Sequence, residues 1–179
     1  MKEEPRTLGL ALGGGAFRGT AHLGVLKALE EEGLRPGFLC GTSAGAMAAA
    51  FYAFGMAPEE IRNIARNLRW LKVTNLTFSK LGLLSNNEIG KFIEKYLGDV
   101  LIEDSSIPLA IVAADISTGE KVVFKTGSLA DAIMASTCIP GVFMPAQIKG
   151  RMLVDGAIVE NVPVKVLKDM GAKVCIGVD

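Results

Sequence analysis

Short apolar runs alternate with longer amphipathic stretches along most of this chain, and that alternation predicts its elements. Runs at 8–12, 38–40, 109–114, 121–124, 152–154 and 174–178 read as strands, most with too few polar positions to have a wet face. Helical periodicity marks 20–32, 58–68, 87–97, 129–135 and 164–170, and 44–54 reads as a helix of little but Ala, Met, Phe and Tyr. Strands and helices in turn argue for an α/β fold, with a mostly parallel sheet covered on both sides. Thr118-Gly119-Glu120 has the look of a hairpin turn, so part of the sheet is expected to be antiparallel. No internal repeat or low-complexity linker interrupts the pattern, and residues 1–179 are read as one domain.

Between the strand at 38–40 and the helix at 44–54 lies Gly41-Thr42-Ser43-Ala44-Gly45. A serine on so sharp a strand-to-helix turn has strained backbone angles and crowded neighbours two residues away, where glycine fits best. The turn would lift the hydroxyl clear of the sheet, beside a positive helix end. Eight serines and 21 glycines in 179 residues make about 0.1 accidental matches to Gly-x-Ser-x-Gly. A plainer alternative has Ser43 as a helix cap.

A second turn of the same kind follows 8–12, where Gly13-Gly14-Gly15-Ala16-Phe17-Arg18-Gly19 leads into a helix. Glycine-rich backbone N–H groups at a helix start form an anion cradle, suited to a phosphate or to the oxyanion of acyl transfer. Phosphate fits poorly: Gly-x-Gly-x-x-Gly fails in both frames, and no Gly-Lys-Ser/Thr follows. Close packing of helix on strand is the structural alternative. The third piece is Asp155-Gly156, which closes the run from Met152; alone it is equally a hairpin signal.

The histidine count ties these pieces together. An α/β hydrolase triad runs Ser, acid, His in chain order, and the only histidine, His22, precedes both Ser43 and Asp155. His22 shares a stripe with Val25, Leu26 and Leu29, which points it at the core. A nucleophilic Ser43 then needs a carboxylate to take its proton directly; Asp155 is the candidate, and Asp115, at the end of another strand, is the reserve.

These three segments, in this order, resemble the patatin-like phospholipase family, its compact bacterial members most, and Ala21-His22-Leu23-Gly24-Val25-Leu26, Ala135-Ser136 and Ile139-Pro140 before Phe143 extend the match. The resemblance implies a three-layer α/β/α sandwich and hydrolysis of lipid carboxylic esters by a Ser–Asp dyad, with no metal or other cofactor. Ser43 would be the nucleophile and Asp155 the general base. The oxyanion hole would be the amides of Gly13, Gly14 and Gly15, with Arg18 holding the loop. The rigid apolar stretch 138–145 would wall the pocket. Family members usually continue beyond the position of Asp179, so this single domain is expected to be truncated at its C-terminus. A different class of function, a nucleotide- or anion-binding regulatory module without turnover, uses the same glycine loop and leaves Ser43 as a cap.

Composition narrows the partners. Nineteen basic and 19 acidic residues cancel, which suggests neither nucleic acid nor a strongly anionic membrane as partner and leaves a lipid or ester substrate, with transient contact at a membrane surface. Cys40, Cys138 and Cys175 are too scattered for a metal site or disulfide framework, and no secretory h-region follows Met1; a cytoplasmic setting, at most peripheral to a membrane, is expected. The uncharged run 44–57 is too short to span a bilayer. Residues 71–84 lack a period, and are expected to pack on the core, or alternatively to form a flap that brings Leu76, Phe78 and Leu81 to substrate.

Overall fold

The computed structural model describes residues 7–15, 19–67 and 84–179. Its elements follow the apolar pattern: β1 (Leu8–Leu12), α1 (Thr20–Glu31), β2 (Phe38–Thr42), α2 (Ala44–Ala53), α3 (Pro58–Asn67), α4 (Asn87–Leu97), β3 (Leu109–Asp115), β4 (Lys121–Phe124), α5 (Leu129–Ser136), β5 (Ala146–Ile148), β6 (Arg151–Asp155), α6 (Val164–Asp169) and β7 (Val174–Val178). Single 3₁₀ turns occur at Ile102–Asp104 and Gly156–Ile158. The strands join in one sheet, ordered β5-β6-β3-β2-β1-β7, with β4 added to β3. Strands β7, β1, β2 and β3 run parallel, while β4, β5 and β6 pair antiparallel. The turn expected at Thr118-Gly119-Glu120 lies between β3 and β4, with Gly119 at φ +73°.

Helices cover both sheet faces, and alternation along each strand decides which side chains meet them. Leu10, Leu12, Leu39, Leu109 and Ile111 face the larger core, shared with α1 to α5. Ala11, Cys40, Ala110 and Val112 face α6, packing on Val166 and Leu167. The smaller residues on that side let α6 approach closely: a Cβ at Gly9 would lie 3.1 Å from Leu167 Cδ1 and 3.2 Å from Leu167 Cβ. Helix α2 is buried around its whole circumference from Gly45 to Ala53, which is why it carries no polar face and needs none.

The register of β3 places the strand ends that matter. Strand β4 pairs with Ile111 to Ala114 and so occupies one edge of β3. Along the other edge, β2 pairs through Thr42 with Val112, and β6 arrives from the opposite direction, pairing Asp155 with Ala113. Strands β2 and β6 therefore meet C-terminus to C-terminus on adjacent residues of β3. The chain segments that follow, starting at Ser43 and at Gly156, leave the sheet side by side.

Two features differ from expectation. Strand β5 is absent from the apolar pattern because it is only three residues long and follows Pro145; its hairpin to β6 turns on Lys149 and Gly150, at φ +49° and +77°, and lysine is not a residue that announces such a turn. Strands β2 and β6 also run on through Gly41-Thr42 and Asp155, polar or small residues that apolarity alone leaves out.

Since Ile111 is fully buried and lies on the strand that carries β2 on one edge and β4 on the other, Ile111→Ala is expected to cost about 2–5 kcal/mol in urea denaturation. A loss under about 1 kcal/mol would show that β3 is not central to the core.

Candidate active site

Ser43 stands where β2 ends and α2 begins, at φ +53° and ψ −121°, a conformation that a side-chain-bearing residue adopts only under constraint. Three contacts hold it. Its carbonyl accepts the N–H groups of Ala46 (3.0 Å) and Met47 (3.2 Å), which starts the helix. Its own N–H donates to Ser136 Oγ at 2.8 Å, and Ser136 donates in turn to the carbonyl of Val112 at 2.6 Å. The last turn of α5 thus clamps the elbow to β3. Ser136 has no role that the sequence alone assigns; its only signal is a serine that ends a helix whose other polar residue is Asp131.

The flanking glycines are required by space. A Cβ at Gly41 would come within 2.5 Å of Gly45 O and Ala46 Cα, main-chain atoms that cannot rotate away. At Gly45 it would collide with the Leu12 carbonyl and approach Gly13 O to 2.6 Å, so this glycine lets the start of α2 rest against the end of β1. The two strand-to-helix turns, one after β1 and one after β2, are thereby packed against each other.

The Ser43 hydroxyl does not cap its helix; it donates to Asp155 Oδ2 at 2.6 Å. Both residues are buried, at 8% and 5% exposure. Asp155 Oδ1 accepts the Ala157 N–H at 2.9 Å, and Asp155 N donates to Cys138 O at 2.9 Å, which ties the apolar stretch after α5 to the carboxylate. Asp155-Gly156 is therefore not a hairpin turn: Asp155 caps the 3₁₀ turn that follows it. Burial raises the Asp155 carboxyl above its ordinary value, against the opposing pull of the hydrogen bonds from Ser43 and Ala157.

The glycine loop borders the same point. A Cβ at Gly14 would sit 3.2 Å from Ser43 Cβ and 2.9 Å from Asn161 Oδ1. The N–H of Gly13 donates to Val178 O at 2.9 Å and that of Gly14 to Asn161 Oδ1 at 2.9 Å. Gly15 ends the described part of the loop; Arg18 lies outside the described residues, as does the expected packing or flap of the region before Leu84. His22 is buried, as its stripe position suggested, and its Nε2 bonds to Gly13 O at 2.8 Å. Asp115 is engaged elsewhere: Arg151, at 2.7 Å, and the Ser117 N–H hold its carboxyl below the ordinary range. Sequence reasoning overlooked Asn161, which is 147 residues from Gly14 and belongs to no motif weighed there.

No cluster of metal-binding side chains occurs among the described residues, and no described helix is long and apolar enough to cross a membrane. An α/β sandwich with a serine–carboxylate pair on a strand-to-helix elbow narrows the class, and comparison with known proteins gives the family. The model of the patatin-like phospholipases matches residues 10–168. An uncharacterised NTE family protein of Mycobacterium tuberculosis is 36% identical over 172 residues, covering 94% of this chain and 48% of that one. The lysophospholipase NTE1 of Mycosarcoma maydis is 34% identical over 181 residues, covering 97% of this chain and 10% of that one. Among solved structures, VipD from Legionella pneumophila superposes with a TM-score of 0.67 at 18% identity, over 89% of this chain and 47% of that one. The chain belongs to the patatin-like phospholipase family. It spans about half the length of its mycobacterial relative and a small part of the fungal one.

The raised Asp155 carboxyl has a consequence for stability. Between the unfolded value near 3.9 and the higher folded one, the folded protein holds a proton that the unfolded chain has released. The ionised side chain therefore destabilises the fold, fully so above the folded value and not at all below the unfolded one. Asp155→Asn keeps an acceptor for Ala157 and removes the charge, so it should be at least as stable as wild type at neutral pH, its advantage shrinking as pH falls through that window. Urea denaturation of both proteins across pH checks this; a less stable Asp155→Asn at neutral pH would contradict it.

Proposed function

We infer that this protein is a serine acyl hydrolase acting on carboxylic esters of lipids. The observation that carries the reading is the 2.6 Å hydrogen bond from Ser43 Oγ to Asp155 Oδ2, made between two buried groups at a strained elbow. A serine hydroxyl is a poor nucleophile until a base removes its proton during attack. Asp155 is such a base, and burial, which disfavours its ionised form, makes it a stronger one than a solvated carboxylate.

In the first half of the reaction, Ser43 Oγ attacks the ester carbonyl while its proton passes to Asp155. The carbonyl oxygen takes up negative charge beside the glycine loop, where backbone N–H groups stabilise it. Collapse of the tetrahedral adduct breaks the bond to the leaving alcohol, which takes the proton from Asp155, and an acyl-serine remains. Water then repeats the sequence: Asp155 takes its proton, the adduct collapses, and Ser43 regains a proton as the fatty acid leaves. Of the loop amides, that of Gly13 is held within the sheet by the main-chain Val178 O, whereas that of Gly14 is held only by a side chain, Asn161 Oδ1, so the oxyanion falls to Gly14 and Gly15, with Arg18 supporting the loop as the family pattern suggests.

Lipid as the substrate class draws support from the family and from the fungal relative's name, lysophospholipase. Exposed Ile158 and Val159, in and after the 3₁₀ turn that Asp155 caps, and Ile139 and Val142, in the stretch that follows Cys138, offer apolar surface for acyl chains or for transient contact with a membrane surface. A non-catalytic anion-binding module that leaves Ser43 as a helix cap fits less well, because the Ser43 hydroxyl is on the Asp155 carboxylate and makes no cap hydrogen bond.

Hydrolysis of a panel of lysophospholipids, phospholipids and simple esters tests the reading. Ser43→Ala should lower turnover by at least about a thousandfold with the fold intact, and Asp155→Asn by about a hundredfold or more. For wild type, kcat/KM should rise with pH through one ionisation lying above the ordinary carboxylate range, because only ionised Asp155 accepts the proton. Turnover that survives Ser43→Ala in a folded protein would remove Ser43 from the mechanism.

A further inference from the structure

Two polar side chains left unused by the reaction scheme hold the same peptide group. His22 on α1 is 2% exposed, and its Nε2 lies 2.8 Å from the carbonyl oxygen of Gly13. A carbonyl only accepts, so the ring proton is on Nε2; Nδ1 has no hydrogen-bond partner among the described residues. Burial lowers the pKa of the ring and so favours this neutral form. Asn161, two residues before the Pro163 that precedes α6, takes the other end of the peptide. Its Oδ1 accepts the Gly14 N–H at 2.9 Å, while its Nδ2 donates to Asp179 Oδ1 at 2.8 Å.

The Gly13 carbonyl and the Gly14 N–H belong to one planar trans group and point in opposite directions. Holding the carbonyl against α1 therefore turns the N–H away from α1, and the side it faces is that of the nucleophile. The Cβ position of Gly14 is 2.9 Å from Asn161 Oδ1 and 3.2 Å from Ser43 Cβ, so the acceptor of this N–H and the serine stand beside the same atom.

We propose that His22 and Asn161 are positioning residues of the oxyanion site: His22 fixes the Gly13–Gly14 peptide with its N–H on the Ser43 side, and Asn161 occupies that N–H as a placeholder which the developing oxyanion displaces. The inference rests on Ser43 being the nucleophile. A neutral amide oxygen is an adequate partner for an N–H that would otherwise lack one. It is a weaker acceptor than an oxyanion, whose hydrogen bonds are charge-assisted. A ground-state ester carbonyl has no such advantage over Asn161. Exchange is therefore favoured as charge develops, and the interaction strengthens toward the transition state more than in the bound substrate. His22 does not compete for the N–H, and its contact persists through the exchange.

The test combines steady-state hydrolysis of a p-nitrophenyl ester with the rate of labelling by a fluorophosphonate, using the full chain and checking each variant by thermal melting. His22→Leu should lower kcat by about thirtyfold or more with KM within about threefold, and His22→Gln, which can present an N–H donor at a similar reach, should recover most of that loss. The two Asn161 variants should move in opposite directions. Asn161→Ala should label a few-fold faster than wild type, because no hydrogen bond has to be exchanged, and Asn161→Asp at least about tenfold slower, because a carboxylate holds the N–H more strongly and repels the oxyanion.

A His22→Leu enzyme with wild-type kcat, or a loss that His22→Gln does not recover, would overturn the role of His22. Equal labelling rates for both Asn161 variants, whether slowed or unchanged, would overturn the placeholder. Should His22→Leu fail to fold, the opposed Asn161 pair still decides. Ser43→Ala serves as the control that separates the two readings: wild type that fails to label, or Ser43→Ala that labels, removes the nucleophile itself rather than its positioning residues.

Discussion

The meeting of two strand ends on one edge of β3 is the constraint from which the site follows. Thr42 pairs with Val112 and Asp155 with Ala113, so β2 and β6 converge head to head, and the residues that follow have nowhere to go but up from the sheet together. Ser43 and Asp155, 112 residues apart in sequence, come within 2.6 Å as a result. Close main-chain approach maintains the arrangement. A Cβ on Gly156 would strike the Val112 carbonyl, and one on Gly45 the Leu12 carbonyl, so the chain passes where only glycine fits. Ser136 completes the bracing by joining the elbow's N–H to Val112.

Strain and burial concentrate at this junction, and both oppose stability. Ser43 has a positive φ, and Asp155 is a buried carboxylate whose two side-chain hydrogen bonds do not cancel the loss of water. The surrounding layers supply what offsets them. Helix α2 is apolar on every side, and Leu10, Leu12, Leu39 and Ile111 line the core beneath it without a polar interruption. In the proposed reaction, reactivity and instability share one source, since the desolvation that raises the basicity of Asp155 also penalises its charge.

The sequence announces the parts of the site whose chemistry is local. Gly41-Thr42-Ser43-Ala44-Gly45 can be read because steric demand at the elbow falls within five residues, and the glycine loop because its N–H groups need bare backbone. His22 declares its burial through its helical stripe. Asp155 is harder: the dipeptide Asp155-Gly156 is as good a hairpin signal as a catalytic one, and only the lack of a later histidine and the family resemblance favoured it. Ser136 and Asn161 escaped because their partners, Ser43 and Gly14, are 93 and 147 residues away, and no short pattern encodes such a contact. In the fold, β5 was hidden by its length and by a Lys149-Gly150 turn, and the last residues of β2 and β6 by being small or polar.

The central claim is that the elbow serine attacks an acyl group, and the most direct measurement is the location of a covalent adduct. After reaction with a fluorophosphonate, proteolysis and mass spectrometry should find one modified peptide, with the added mass on Ser43. An adduct on another residue, such as Ser136, or an unmodified protein under conditions that label an active serine hydrolase, would contradict the account.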